Sequence, residues 1–146
     1  MIAQGQCTIF KQNLLNGLEN FSATSPYFYQ IALYTSNASL GSSTLAYTPI
    51  GEVSGTGYSA GGAPILPTPA VLSGTTAYIS FSNITWPSAS FVARGALIYN
   101  YTTKAAVAVL DFGADKTAKL GTPFTITFPP DTATTCLLYT SPSPRD

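Results

Sequence analysis

The spacing of apolar residues is helical near the start of the chain and strand-like after residue 26. Five apolar residues near the start recur at helical spacing and share one face: Ile9, Phe10, Leu14, Leu18 and Phe21. We therefore predict one short helix over residues 8–20, with Thr8 capping its start and Gly17 weakening its middle by about 1 kcal/mol. Pro26 follows this segment, and the apolar face of the helix is expected to pack on a sheet.

Residues 27–35, YFYQIALYT, are rich in aromatic and branched side chains and predict a strand. We expect Phe28, Ile31 and Leu33 to lie in the core. Because side chains alternate between the two faces of a strand, some of the tyrosines must point away from Phe28. Those rings are candidates for a subunit interface, where tyrosine is enriched: Tyr27, Tyr29 and Tyr34.

Residues 91–113, FVARGALIYNYTTKAAVAVLDFG, predict a hairpin of two apolar strands around a polar turn. Its only charged residues are Arg94, Lys104 and Asp111. A hairpin this apolar has to be buried on at least one face, and we expect burial on both faces near its middle. The substitution Gly95→Asp would then place an unpaired charge in a buried strand and destabilise the protein strongly.

Shorter strands are predicted on either side of this hairpin. Residues 77–86 alternate well, residues 123–128 form the last clear strand, and the prolines within 46–53 and 65–72 favour edge positions or a bulge. The glycine-rich residues 54–64 predict a flexible surface loop, in which glycine supplies a positive φ or a close backbone approach.

The predicted fold is mainly β: an antiparallel β-sandwich of seven to eight strands with one short N-terminal helix. Turn signals recur every ~8–12 residues, as in a sandwich, and strands do not alternate with long helices as in a parallel sheet. We assign residues 1–135 to this single domain, a length that buries enough surface to fold without a metal or a disulfide.

The chain carries unusually little charge. Only 8% of its residues are charged and its formal net charge is +0, whereas about 25% is usual. No basic patch is available to neutralise phosphates, so we expect no nucleic-acid partner. A weakly charged surface protects poorly against self-association, which suits an assembled subunit. We expect neither a membrane span nor a signal peptide, because no apolar run is long enough and the N-terminus lacks a basic region before an apolar one.

Acid–base chemistry has few candidate residues in this chain. There is no histidine, which removes the commonest general base and metal ligand. The remaining candidates are carboxylates: Glu19, Glu52, Asp111, Asp115 and Asp131. Nothing in their spacing places two of them across a cleft, as glycoside hydrolysis requires. We therefore predict a protein that is not an enzyme, with no catalytic residues, no cofactor and no metal; a hydrolase that uses a carboxylate pair is the alternative.

Four weaker patterns have structural interpretations that we favour. Asp111 and Asp115 are a weak candidate calcium site. The triplet DFG of residues 111–113 occurs in kinases, but the companion kinase motifs are missing here, so we predict that it is a strand end with a glycine turn. Cys7 and Cys136 form neither a disulfide framework nor a zinc motif. A set of aromatic residues is a candidate carbohydrate platform, although aromatics in strands usually form core: Trp86, Tyr27, Phe28, Tyr29, Tyr34, Tyr78 and Phe81.

The chain resembles a family of small virion structural proteins from tailed bacteriophages in six segments: FKQNLLNGLENF, IALYTSNASLG, YTPIGEVSGTGYSAGGAPI, ISFSNITWPSASFVARGALIYN, AVAVLDFGADKT and FTITFPP. The resemblance spans residues 10–135 and is strongest in WPSASFVARGALIYN followed by AVAVLDFG. It implies a non-enzymatic virion component of the capsid decoration, head fibre or tail type, made in the host cytoplasm. Its expected partners are further copies of itself in a symmetric oligomer and the major capsid or tail proteins. A tail-fibre module that binds a receptor or glycan is the alternative.

Residues 136–146, CLLYTSPSPRD, differ in character from the rest of the chain. They contain two Ser-Pro pairs and match one translated frame of a common sequencing adapter. We therefore expect a non-native tail that arose by read-through in an assembled metagenomic sequence. The segment CLLYT can still pair as a strand, and removal of the tail is expected to leave the other strands intact.

Overall fold

The computed structural model describes residues 1–21, 26–67, 71–73, 76–79, 81–126 and 138–140. In these ranges there is one α-helix, α1 (Thr8–Leu15). The strands are β1 (Gly5–Gln6), β2 (Tyr29–Tyr34), β3 (Ala63–Ile65), β4 (Val71–Ser73), β5 (Thr76–Ile79), β6 (Ile84–Asn100), β7 (Ala106–Ile126) and β8 (Leu138–Thr140). They form an antiparallel five-stranded sheet in the order β1-β7-β6-β2-β3 and a three-stranded sheet in the order β4-β5-β8. A mainly β fold with a short N-terminal helix is thus confirmed, whereas the sandwich and the number of strands stay predictions.

The predicted hairpin is present and is longer than its apolar stretch. Strands β6 and β7 pair from Ile84↔Ile126 to Tyr99↔Ala106, with several register shifts between. Residues 123–126 therefore continue β7 and do not form a separate strand. The prediction of a strand end at residues 111–113 is also wrong: this segment lies inside β7, where Gly113 takes a φ of 80° that bends the strand without ending it.

The core centres on β2 and the paired halves of β6 and β7, where both faces are covered. Residues 31–34 and 96–100 have 0% exposure, so the expected burial on both faces of the hairpin is confirmed. On one face Tyr29 stacks on Phe21 with ring centroids 4.7 Å apart. On the other face the Tyr99 hydroxyl donates to the carbonyl oxygen of Gly61 at 2.6 Å, in the loop of residues 46–62.

This two-sided burial corrects the assignment of residues in β2. Ile31 and Leu33 are core as predicted, but Phe28 is 70% exposed, because β2 begins only at Tyr29. Tyr29 and Tyr34 are only 2% and 0% exposed, so neither is an outward interface ring. The alternation rule gave the wrong result because it assumes that one face of the strand meets solvent.

The helix is shorter than its apolar spacing predicts. It ends at Leu15, since Gly17 takes a φ of 73° and the amides of Gly17 and Leu18 donate to the carbonyl oxygens of Leu14 and Asn13. This is the Schellman arrangement, which closes a helix at a left-handed glycine. Cys7, not Thr8, is the N-cap residue, and it makes no side-chain capping bond. Phe10 is the buried member of the helix, while Leu18, beyond the helix end, is 46% exposed.

Two other predicted segments also differ in the structure, and a third pairs as predicted. Residues 77–86 do not form one strand, because β5 lies in the three-stranded sheet and Ile84 begins β6 in the other sheet. Residues 46–53 contribute only the isolated bridges Ala46↔Ala105 and Tyr34↔Glu52. Strand β8 pairs with β5, as expected for CLLYT, and the rest of residues 136–146 lies outside the described residues.

Candidate functional site

Glu52 fastens the loop of residues 46–62 onto the sheet. One carboxylate oxygen accepts a bond from the Tyr47 hydroxyl at 2.6 Å, and the other accepts from the Tyr58 hydroxyl and from the amide of Gly61 at 2.7 Å. The Tyr58 hydroxyl also accepts a bond from the amide of Leu33 at 3.0 Å. Burial raises the pKa of Tyr58, and its bond to Glu52 raises it further. Both carboxylate oxygens are thus engaged by hydroxyl and amide donors of the loop.

The glycines of this loop allow it to lie directly on the strands. A Cβ at Gly62 would collide with the carbonyl oxygen of Ile31, and one at Gly57 would collide with that of Ser88. Both residues also have positive φ angles, of 86° in each case. The predicted reason for the glycines, a positive φ or a close backbone approach, is therefore confirmed.

Glu19 is buried between the end of the helical segment and the hairpin turn. It follows α1 and is not part of it, contrary to the sequence prediction. Its Oε1 accepts bonds from the Tyr29 hydroxyl at 3.0 Å and from Nδ2 of Asn100 at 2.9 Å. Its Oε2 has no hydrogen-bond partner among the described residues. Burial raises the pKa of this carboxyl group, although the hydrogen bonds it accepts oppose the shift.

Asn100 completes the Glu19 network at the hairpin turn. Its side-chain oxygen accepts bonds from the amides of Thr102 and Thr103 at 2.9 and 3.2 Å. One fully buried amide side chain therefore holds the turn and anchors Glu19 at the same time. The network is well suited to fixing local structure, because Asn100 Oδ1 accepts from two turn amides while its Nδ2 donates to Glu19 Oε1, so both ends of the amide are used within the protein.

Asp111 and Asp115 both lie close to the guanidinium group of Arg94. Arg94 places Nε 3.6 Å from Asp111 and Nη1 3.8 Å from Asp115. A guanidinium group at this position competes with calcium for the same oxygens, so the structure does not favour the calcium interpretation. Across the described residues no group of three or more His, Cys, Asp or Glu side chains is placed to hold a metal ion. Asp131, the fifth candidate carboxylate, lies outside these residues.

An aromatic cluster lies beneath the distal part of the β6–β7 ribbon. Its ring centroids are 5.1 Å apart for Phe91 and Phe124 and 6.1 Å apart for Trp86 and Phe124. Trp86 is buried, so it is core and offers no surface for a sugar. Phe112 also contacts Phe124, at 6.3 Å, within the same strand. Sequence spacing could not reveal this contact, because it depends on a bend in β7.

The bend leaves a shallow groove and an open strand edge. The groove has a volume of about 350 Å³ and is lined by five residues: Phe112, Lys116, Phe124, Thr125 and Ile126. Strand β1 pairs with β7 only at Ala108 and Val109, and no other described strand pairs with the outer side of β7. We call residues 113–121 the ribbon edge; apart from Ala118, all of its residues are exposed.

Comparison of the chain with protein-family models, with curated proteins and with solved structures finds no match. The described residues contain no helix that is long and apolar enough to span a membrane. The geometry of the described residues, together with the sequence patterns above, is therefore the basis for assigning a function.

Proposed function

We propose that this chain is a non-enzymatic structural subunit of a bacteriophage virion, of the capsid decoration or head-associated type. The observation that carries the proposal is the ribbon edge, where an exposed strand presents backbone donors and acceptors to solvent. Such an edge is a ready template for pairing with another chain, and assemblies use it for strand addition. The sequence resemblance to phage virion proteins supports the same conclusion.

The chemistry of the described carboxylates also supports a structural role. Glu52 and Glu19 accept bonds from structural hydroxyl and amide groups, and Arg94 lies between Asp111 and Asp115. A catalytic carboxylate pair needs two acids that face a common substrate space. Glu19 and Glu52 instead belong to separate hydrogen-bond networks, which favours scaffolding over hydrolysis.

We further propose that the five-stranded and three-stranded sheets pack as an antiparallel β-sandwich of seven to eight strands. The ring of Phe81, which follows β5, supports this, since it packs on Phe21 and Tyr29 of the five-stranded core with ring centroids 6.0 and 6.5 Å apart. An experimental structure of the purified protein, with the three-stranded sheet resolved, tests this arrangement. Two sheets lying side by side would contradict it.

Mass spectrometry of purified particles tests the virion assignment. Particles produced by the phage that encodes this chain are expected to contain it in a fixed ratio to the major capsid protein. The matched control is the lysate supernatant after the particles have been removed. The proposal is wrong if the protein is made in infected cells but is absent from the particles.

A module that binds glycans or receptors is the second candidate, and one surface favours it. Phe28 is 70% exposed and Tyr101 is 44% exposed, and the Tyr101 amide donates to the Phe28 carbonyl oxygen at 2.6 Å. Exposed aromatic rings can stack on a sugar, although Lys104 Nζ lies 3.5 Å from the centroid of Tyr101 and covers one face of that ring. Specific binding on a glycan array that is lost in Phe28→Ser and Tyr101→Ser would favour this function over the structural one.

A further inference from the structure

The ribbon edge is bounded by two glycines and pairs regularly with β6 at its centre. Gly113 and Gly121 have φ angles of 80° and 83°. Between them β7 pairs with β6 without a register shift at Phe91↔Ala118, Val92↔Thr117 and Ala93↔Lys116. Residues 116–118 are therefore a short regular strand paired with β6, and the register shifts on either side of them leave residues 112–115 and 119–121 without a paired residue in β6. The outer side of the ribbon edge has no described partner strand.

The charges on this segment are self-complementary about Thr117. In an antiparallel pair of identical strands related by a twofold axis, the residue on the axis faces its own copy, and residues equally distant from it on either side face each other. With Thr117 on the axis, Asp115 faces Lys119 of the copy, and this pair occurs twice. Gly113 then faces Gly121, so the bends at both ends coincide.

The other registers lack this complementarity. A twofold axis at Asp115, Lys116 or Lys119 places each of these charges opposite its own copy, which is destabilising. An axis at Ala118 places Thr117 opposite Lys119 and pairs no opposite charges. In the Thr117 register the exposed Leu120 also faces Ala114, so an apolar side chain meets an apolar partner.

We propose that the ribbon edge binds a second copy of this chain by antiparallel strand pairing about a twofold axis at Thr117. The inference rests on the proposed structural function and names the surface through which copies meet. The dimer joins two β6–β7 ribbons into one continuous four-stranded sheet, with Asp115–Lys119 pairs on both sides of the axis. A pairing this short is expected to be weak in solution and to be strengthened by the high local concentration in a particle.

Charge reversal and charge exchange test the register by sedimentation equilibrium of the full chain. Lys119→Asp and Asp115→Lys each place like charges opposite one another twice, so the dimer dissociation constant is expected to rise roughly tenfold. Lys119→Asp is the decisive single variant, because Asp115→Lys also removes the contact of Asp115 with Arg94 in its own chain. The double variant Asp115→Lys with Lys119→Asp restores opposite charges, and its dissociation constant is expected to return close to the wild-type value. Lys116→Asp is the matched control: it makes the same change in charge next to the axis, but faces Ala118 and is expected to change affinity little.

Three results would overturn the inference. One is a wild-type chain that stays monomeric at high concentration. In that case hydrogen exchange at residues 114–120 shows whether another segment of the same chain protects the edge or whether the edge stays open to solvent. Another is an oligomer whose affinity does not respond to the two reversals. The third is a double variant as weak as the single ones. Each leaves the particle composition unaffected, so failure here is distinguishable from failure of the virion assignment.

Discussion

Gly95 lies in β6 at a point where no side chain fits. A Cβ there would be 2.5 Å from the carbonyl oxygen of Leu110 and 2.9 Å from two side-chain carbons of Ile2. We expect Gly95→Ala to lower the free energy of unfolding by about 1–3 kcal/mol, and Gly95→Asp to lower it further because its charge would be buried without a partner. Urea unfolding measures both. Gly5→Ala is the control, since its Cβ meets nothing within 4 Å; equal stabilities for Gly95→Ala and wild type would contradict close packing at this site.

Glu19 is expected to make stability depend on pH. Burial raises its pKa above the ordinary value of 4.5, so the folded state favours the protonated carboxyl group. Below that value both states are protonated; above it the unfolded chain ionises first, and the stability of the wild type falls as the pH rises. Glu19→Gln cannot ionise and escapes this loss. The free energy of unfolding of the variant relative to wild type is therefore expected to increase from about pH 4 to about pH 7 in urea titrations. A constant difference across this range would show that the carboxyl group is not perturbed.

The end of helix α1 can be tested by one substitution at Gly17. The expected change in stability has one sign if the helix ends at Leu15 and the opposite sign if it continues to residue 20. If the helix continued to residue 20, Gly17→Ala would stabilise it by about 1 kcal/mol. In the structure Gly17 has a φ of 73° and its Cβ would meet nothing within 4 Å, so only backbone strain acts. We expect Gly17→Ala to destabilise the protein by about 1 kcal/mol in thermal or urea unfolding. A stabilised variant would mean that the helix extends past Leu15.

The elements that depend on local pattern could be predicted from the sequence, and those that depend on tertiary contacts could not. The hairpin and the helix start were predictable, because the apolar runs and the turn between them are local signals. The bend of β7 was not predictable from the sequence. It depends on the positive φ angles of Gly113 and Gly121 and on the contact between the rings of Phe112 and Phe124. Asp111 and Asp115 are close in sequence, but their shared contact with Arg94 needed the register of β6 on β7.

At the scale of the whole molecule, the five-stranded sheet obtains its cover from short segments. On one face lie the ring of Phe21 and the side chain of Glu19, which accepts a hydrogen bond from the Tyr29 hydroxyl. On the other face lies the loop that Glu52 holds in place. This explains how a chain with 8% charged residues buries both faces of its central strands. Among the described strands, β8 pairs with β5 and with no strand of the five-stranded sheet, so we expect that sheet to form without it.

Removal of residues 136–146 tests that independence. The deletion takes away β8, which pairs with β5 at Ile79↔Leu138, Tyr78↔Tyr139 and Ala77↔Thr140 and with no strand of the five-stranded sheet. Amide NMR cross-peaks from β2, β6 and β7 are therefore expected to keep their positions, while those from β4 and β5 shift. A chain ending at residue 140, which retains β8, is the matched control and is expected to reproduce the full spectrum outside the deleted residues. A shortened chain that stays soluble but loses the dispersed peaks of β6 and β7 would show that the C-terminal strand is integral to the whole domain.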